Sequence, residues 1–282
     1  MVVLFKDLAK TAENVLRDDY DFSRKLKIKS QASNGVSFTT EGALNGNKSI
    51  LAKVSSGFTH DASGVVFKKL QITTQGRFVA EAELPNVLTE GLKLTFKLED
   101  GSVTKNTSAK QISVLGAEYK QKNMAVNSEA DFVSNTVSSA VVLSQGGFAV
   151  GGQTAFNVDK SSIVQHNVGV SITGVDFVTS LVTKKNFAAV QASFHHHLSH
   201  KTVYAAVLDY DLKSASNTLV VGGRYRADGD TTYCGKIDSE GFLSLASIQR
   251  VRPHVTLTTS VHVDAKNFEG DSHKFGLGLT LG

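Results

Sequence analysis

Apolar and polar residues alternate with a period of two along almost the whole chain, and no other feature narrows the fold as much. Leu92, Leu94, Phe96 and Leu98 are interleaved with Lys93, Thr95, Lys97 and Glu99. Val255, Leu257, Val261 and Val263 are set against His254, Thr256, Thr258, Ser260, His262 and Asp264, and Phe275, Leu277, Leu279 and Leu281 against Lys274, Gly276, Gly278 and Thr280. Near the start, Leu26 and Ile28 stand between Lys25, Lys27 and Lys29. Successive side chains of a strand point to opposite faces, so each segment is a ribbon with one apolar and one wet side. Helical spacing fits none of them.

The segments recur between turn signals: Asn34-Gly35, Asn45-Gly46-Asn47, Asp100-Gly101, Gly146-Gly147, Asp228-Gly229-Asp230 and Glu269-Gly270-Asp271. About 19 of them, of about ten residues each, lie between Arg24 and Gly282, and that is the length of a tilted membrane strand. No linker or composition shift marks a second domain. The chain reads as residues 1–23, an N-terminal helix and linker, followed by one β domain over 24–282. Only Pro85 and Pro253 interrupt it, as expected of a structure that is mostly hydrogen-bond ladder, because proline cannot donate to one.

Composition removes most other classes. One cysteine in 282 residues excludes a disulfide framework and any Cys-based zinc site. Apolar residues make up 41% and mean hydropathy is -0.07. No run approaches the 18 or so apolar residues that a spanning helix needs. Charged residues are 20% of a chain rich in Val, Leu and Phe, so it is not disordered. The net charge of +4 is far from the dense basic stripe of a nucleic-acid binder, and no nucleic-acid partner is expected.

The apolar face must then pack on a second sheet, as in a soluble β-sandwich binding module, or face lipid, as in a transmembrane barrel. Three features favour the barrel. The number of long strands exceeds the usual sandwich, and the wet face carries charges that suit a water-filled lumen. A regular meander of hairpins also lets the sheet close, so that lipid meets no unpaired backbone group.

The first twenty residues depart from the alternation. Phe5, Leu8, Ala12, Val15 and Leu16 form one stripe of a short amphipathic helix, with Lys6, Lys10, Glu13, Asn14 and Arg17 opposite. Asp7, Glu13, Asp18 and Asp19 contradict the acid-poor composition of a transit peptide, and a secretory apolar core is lacking, so the segment is expected to remain on the mature protein. So short a helix needs a surface for its stripe. In a barrel that surface is the inner wall.

Four stretches stand out together and in order: Phe5-Lys6-Asp7-Leu8-Ala9-Lys10 leading to Tyr20 and Phe22, Gly91-Leu92-Lys93, Gly152-Gln153-Thr154-Ala155-Phe156, and Val261 through Leu281 with its Asp264-Ala265-Lys266-Asn267-Phe268. With them the chain resembles a known family, the voltage-dependent anion channels or mitochondrial porins, with a flavour closest to plant-type members. Lys274, Gly276, Leu279 and Leu281 resemble the signal that inserts mitochondrial outer-membrane barrels.

The resemblance implies an all-β transmembrane barrel of 19 strands, the number this family is known for. Its first and last strands are parallel, the rest antiparallel, and the helix lies in the pore. It also implies a multi-pass protein of the mitochondrial outer membrane that passes ATP, ADP, phosphate and small anions, weakly anion-selective and voltage-gated. Hexokinase-like cytosolic partners, membrane lipids, and further copies or a larger membrane complex follow as partners. No enzyme activity, metal or cofactor is implied. A related protein-import pore would be expected to carry a longer N-terminal extension and to lack Gly91-Leu92-Lys93.

Three departures qualify the match. The linker Asp18-Asp19-Tyr20-Asp21-Phe22-Ser23 has no glycine and is expected to be stiff. Lys10 keeps the basic residue of its position, but Glu13 stands where animal members have arginine. The lipid-facing acid of some members' fourth strand has no counterpart in Val66-Phe67-Lys68-Lys69-Leu70.

Barrels of this size leave an aqueous channel, whose selectivity rests on its fixed charges. The candidate lining residues for anions and nucleotides are Lys10 and Arg17 on the helix, Lys25, Lys27 and Lys29 on the first strand, and Lys93 and Lys97 on the sixth. Water and salt screen such charges over about 8 to 10 Å, so the expectation is weak preference without tight nucleotide binding.

Other motifs carry little. His195 and His197 share a strand face with no obvious third ligand, and the run from Gly229 to Gly235-Lys236 has the wrong spacing for a phosphate loop. Cys234 is a lone thiol. Asn47-Lys48-Ser49 and Asn106-Thr107-Ser108 match a glycosylation pattern that matters only in the secretory route.

Overall fold

A computed structural model describes residues 2–44, 49–87, 89–101, 111–270 and 272–282. The turn at Asn45-Gly46-Asn47, Asp271 and the acceptor asparagines Asn47 and Asn106 lie outside the described residues. The alternating segments become one sheet of nineteen strands. In chain order these are β1 (Arg24–Gln31), β2 (Ser37–Leu44), β3 (Ile50–His60), β4 (Val65–Thr73), β5 (Phe78–Pro85), β6 (Leu92–Asp100), β7 (Ile112–Lys120), β8 (Met124–Asp131), β9 (Thr136–Gln145) and β10 (Phe148–Asn157). There follow β11 (Ser162–Thr173), β12 (Phe177–Lys184), β13 (Ala189–His197), β14 (Thr202–Asp211), β15 (Ser216–Arg226), β16 (Thr231–Asp238), β17 (Phe242–Arg252), β18 (Val255–Asp264) and β19 (Lys274–Leu281).

Each strand pairs antiparallel with the next, and the sheet closes where β1 runs parallel to β19, with Arg24 opposite Leu277 and Ile28 opposite Leu281. An odd number of strands in an up-and-down meander forces that one parallel seam. Closure gives every strand two neighbours, which is what hydrocarbon demands of a sheet.

Register keeps like with like. Lys27 lies opposite Glu41 and Thr280, while Leu26 lies opposite Gly42 and Leu279. The apolar rows are uncovered: Leu143 and Phe275 are each 58% exposed. A two-sheet sandwich would bury them, so the soluble alternative does not hold. The polar rows share their face with the N-terminal segment, which packs against them, so that face is the inside.

The N-terminal segment is not the single helix its stripe suggests. It is a 3-10 turn at Phe5–Asp7 followed by α1 (Lys10–Arg17). Ala9, which precedes α1, has no side chain to cap it, and the break lets the two pieces follow the wall separately. The stripe itself is buried throughout. Leu4, Phe5 and Leu8 pack with Ala125, Ala140, Val142, Ala149 and Val182, and Ala12, Val15 and Leu16 with Ala205 and Val207. Each large side chain so buried contributes about 1.5–3 kcal/mol.

Candidate functional site

The bore of a barrel is its functional site, and here the wall is shaped to receive the N-terminal segment. Gly151 of β10 and Gly169 of β11 are cross-strand partners on the inner face. A Cβ on Gly151 would come 3.0 Å from the Phe5 ring, and one on Gly169 would come 3.0 Å from Leu8 Cδ1. On β15, a Cβ at Gly222 would meet Leu16 Cδ2 at 2.8 Å. These glycines are flat places where a helix can lie against a strand, the close-approach role of glycine inside strands.

Charge fixes the two ends of the segment. Lys6 Nζ donates to Glu118 Oε1 at 2.8 Å and to Glu129 at 3.2 Å, tying the 3-10 turn to β7 and β8. Glu118 is buried and also meets Lys93 at 2.8 Å; Lys93 reaches Glu83 at 3.5 Å, and Glu83 meets Lys68 at 3.1 Å. A β-bulge between Phe67 and Lys69 brings Lys68 into this chain. Burial alone would lower the Lys6 ammonium, but the Glu118 hydrogen bond and Glu129 outweigh it and hold it above the ordinary lysine value.

At the other end, Lys236 of β16 donates to the Leu16 carbonyl at 2.7 Å, one of the orphan acceptors at the C-terminus of α1. A cation there also complements the helix dipole. The same ammonium stands 4.4 Å over the Tyr20 ring.

The linker is strapped to the wall. Asp19 adopts a left-handed backbone, φ 71°, and receives Arg224 Nη2 at 2.7 Å. The linker therefore does use one residue with φ > 0 despite lacking glycine, and aspartate tolerates that conformation better than most residues. Asp21 accepts from Lys25 and from Ser23, and its carbonyl accepts from Ser260 Oγ. Gly276 of β19 lies directly beneath, where a Cβ would overlap the Asp21 carbonyl.

Burial works against the Asp21 carboxylate, but the Lys25 and Ser23 hydrogen bonds prevail and hold its pKa below the ordinary value. A group depressed in the folded state stabilises above its unfolded pKa, about 3.9 for aspartate, and the contribution is lost as pH falls through the lower folded value. A spin label on exposed Thr11 is therefore expected to gain mobility on acidification below about pH 4. In Asp21→Asn the label should already be looser at neutral pH. Equal mobility of parent and variant across the titration would refute the strap.

The seven predicted lining residues all belong to the lumen-side rows or to the polar side of the N-terminal segment, but their settings differ. Lys25 is paired with Asp21 and, at 3.3 Å, with Glu41. Lys93 sits in the Glu118–Glu83 chain, and Lys97 is 3.8 Å from Glu81. Lys10 bonds Asp7 at 3.0 Å, and Arg17 is 3.7 Å from Glu13; both point into the bore. Lys27 and Lys29 have no ion-pair partner among the described residues. Lys274 and Gly276 face inward and Leu279 and Leu281 outward.

Sequence reading passed over Lys6, Glu118, Lys236 and the docking glycines. The one local signal for them was glycine standing in the inward phase of a strand. His195 and His197 do share the inner face, ring centroids 4.7 Å apart. Among the described residues no group of three or more His, Cys, Asp or Glu side chains is placed to hold a metal. Cys234 is buried on the inner wall opposite Arg224.

A family model described as eukaryotic porin matches residues 2–276. A Xenopus laevis protein named non-selective voltage-gated ion channel VDAC2 is 28% identical over 283 residues, covering 98% of each chain. The human non-selective voltage-gated ion channel VDAC1 is 26% identical, covering 98% of this chain and 96% of its own. A Drosophila melanogaster voltage-dependent anion-selective channel is 27% identical over 98% of both chains.

Proposed function

The chain belongs to the eukaryotic porin family, and from that footing we propose that it is a voltage-gated diffusion channel of the mitochondrial outer membrane that weakly favours anions. The single observation that carries this reading is a closed sheet with lysines and carboxylates on its inner rows and uncovered leucine, valine and phenylalanine rows outside. Its permeants are ATP, ADP, phosphate and small anionic metabolites.

The densest run of lining lysines lies on β1 at the seam, with further inward cations at Lys236 and Lys274. Lys25, Lys27, Lys29 and Lys53 stand there against Asp21 and Glu41, which leaves two net positive charges. The chain of Lys6, Lys93 and Lys68 with Glu83, Glu118 and Glu129 is neutral. Weak anion preference is then a property of the seam, and nucleotides pass without a tight site because salt screens each charge within about 10 Å.

Lys274, Gly276, Leu279 and Leu281 act as the outer-membrane insertion signal. The requirement for glycine at 276 has a second cause in the Asp21 carbonyl lying against it. Membrane lipids, hexokinase-like cytosolic proteins and further copies of the chain are its partners in this reading.

Purified protein is expected to require detergent and to form pores in planar bilayers, with a reversal potential on the anion side in a KCl gradient and lower conductance at high voltage of either sign. Solubility without detergent, or membranes left sealed, would overturn the proposal.

A further inference from the structure

We propose that the outer wall between β14 and β17 holds one anionic phospholipid, with an acyl chain over a glycine floor and the phosphate at the rim beside Lys201. This rests on the apolar belt lying in lipid. One transverse row of that wall reads Tyr204, Gly223, Gly235, Leu245 across four strands in register. The two central glycines leave a depression, and Tyr225 and Tyr233, paired across β15 and β16, close its rimward side. The result is a groove of about 520 Å³, within the range of sites that hold a small ligand. Gly42 and Gly152 also face outward, but their cross-strand partners are Leu26 and Ala52, and Val141 and Val168, so neither has a second glycine beside it to widen the depression.

The occupant is argued from charge. Lys201, in the loop before β14, places Nζ 3.3 Å from the Ala227 carbonyl, at the tip of the hairpin that carries Tyr225 and Tyr233. It has no ion-pair partner among the described residues, nor has the neighbouring Arg226. Asp228 is the nearby acid, and its carboxylate is engaged by the backbone N–H groups of Asp230 and Thr231 at 2.8 and 2.6 Å. Asp230 is within 4.0 Å of Arg250. An apolar groove under an unpaired ammonium suits a lipid with a chain and a phosphate. A sterol brings no charge to match it, and a zwitterionic headgroup offsets its own phosphate.

The test reconstitutes the full chain in phosphatidylcholine vesicles containing a minor fraction of phosphatidylglycerol with a photoreactive acyl chain. Label is expected to concentrate on the peptides holding Tyr225 and Tyr233, about fivefold above the same photoreactive chain carried on phosphatidylcholine. Gly235→Leu, which fills the floor, should abolish the enrichment while conductance stays unchanged. Lys201→Gln should abolish the headgroup preference and leave the chain labelling in place. Label spread around the belt in proportion to exposure, equal labelling from the two headgroups, or displacement by excess sterol would each overturn the proposal and leave the channel reading standing. No labelling anywhere on the belt would overturn both.

Discussion

Replacing Gly151 and Gly169 together with leucine is expected to drive the N-terminal segment off the inner wall and raise single-channel conductance. The two positions face each other across β10 and β11, and Phe5 and Leu8 fill the space above them. Even a methyl group would crowd both side chains, and overpacking a fitted site costs about 1–3 kcal/mol per position. Losing the burial of Phe5 and Leu8 removes a further 1.5–3 kcal/mol or so for each. With those contacts gone, the N-terminal half is held by Lys6–Glu118 alone, and the rest by Ala12, Val15 and Leu16 on Ala205 and Val207, by Lys236 and by the linker strap. A helix with its side chains is about 10 Å across, so clearing it from the bore should raise conductance visibly and loosen a spin label at Thr11. Gly152→Leu is the control. It is the next residue on the same strand, faces lipid, and has nothing closer than 3.8 Å to a new Cβ. Equal conductance and label mobility in the double variant and the control would show that the glycines do not set the docking.

The fold was legible because its cause is local. Lipid on one side and water on the other impose a period of two on every strand, so Leu92 to Glu99 announces a strand without reference to any neighbour. The amphipathic stripe from Phe5 to Leu16 was legible in the same way, and its five apolar members are all buried. The break at Leu8 and Ala9 was not, because it answers to the contour of a wall made from strands more than a hundred residues away.

Contacts across the bore were hidden for the same reason. Lys6 and Glu118 are separated by 112 positions and Lys236 and Leu16 by 220, and nothing in either neighbourhood names the other. The lining lysines could be read from strand parity, whereas which of them are paired depends on register. Glu41 is shared by Lys25 and Lys53 because β2 lies between β1 and β3. The linker shows a subtler limit: absence of glycine suggested a uniformly stiff segment, yet Asp19 supplies the left-handed turn and Arg224 holds it there.

Reversing both unpaired seam lysines, Lys27→Glu with Lys29→Glu, is expected to carry the channel from anion to cation preference without releasing the N-terminal segment. A unit charge about 10 Å from a permeant ion in water is worth about 0.4 kcal/mol, and screening at physiological salt cuts this to about 0.15. Reversing two lysines changes four charge units, about 0.6 kcal/mol for each ion and of opposite sign for chloride and potassium, so the chloride-to-potassium permeability ratio should fall about eightfold. For a weakly selective pore that is enough to cross unity. Lys93→Glu is the informative contrast. It also adds negative charge to the lumen, but it sets a third carboxylate beside Glu118 and Glu83 and removes a cation that holds Glu118 against Lys6. That variant should shift the reversal potential and loosen the label at Thr11 together, whereas the seam double variant should shift the potential alone. An unchanged reversal potential in the seam double variant would mean that the selectivity of the pore is set elsewhere than at its parallel seam.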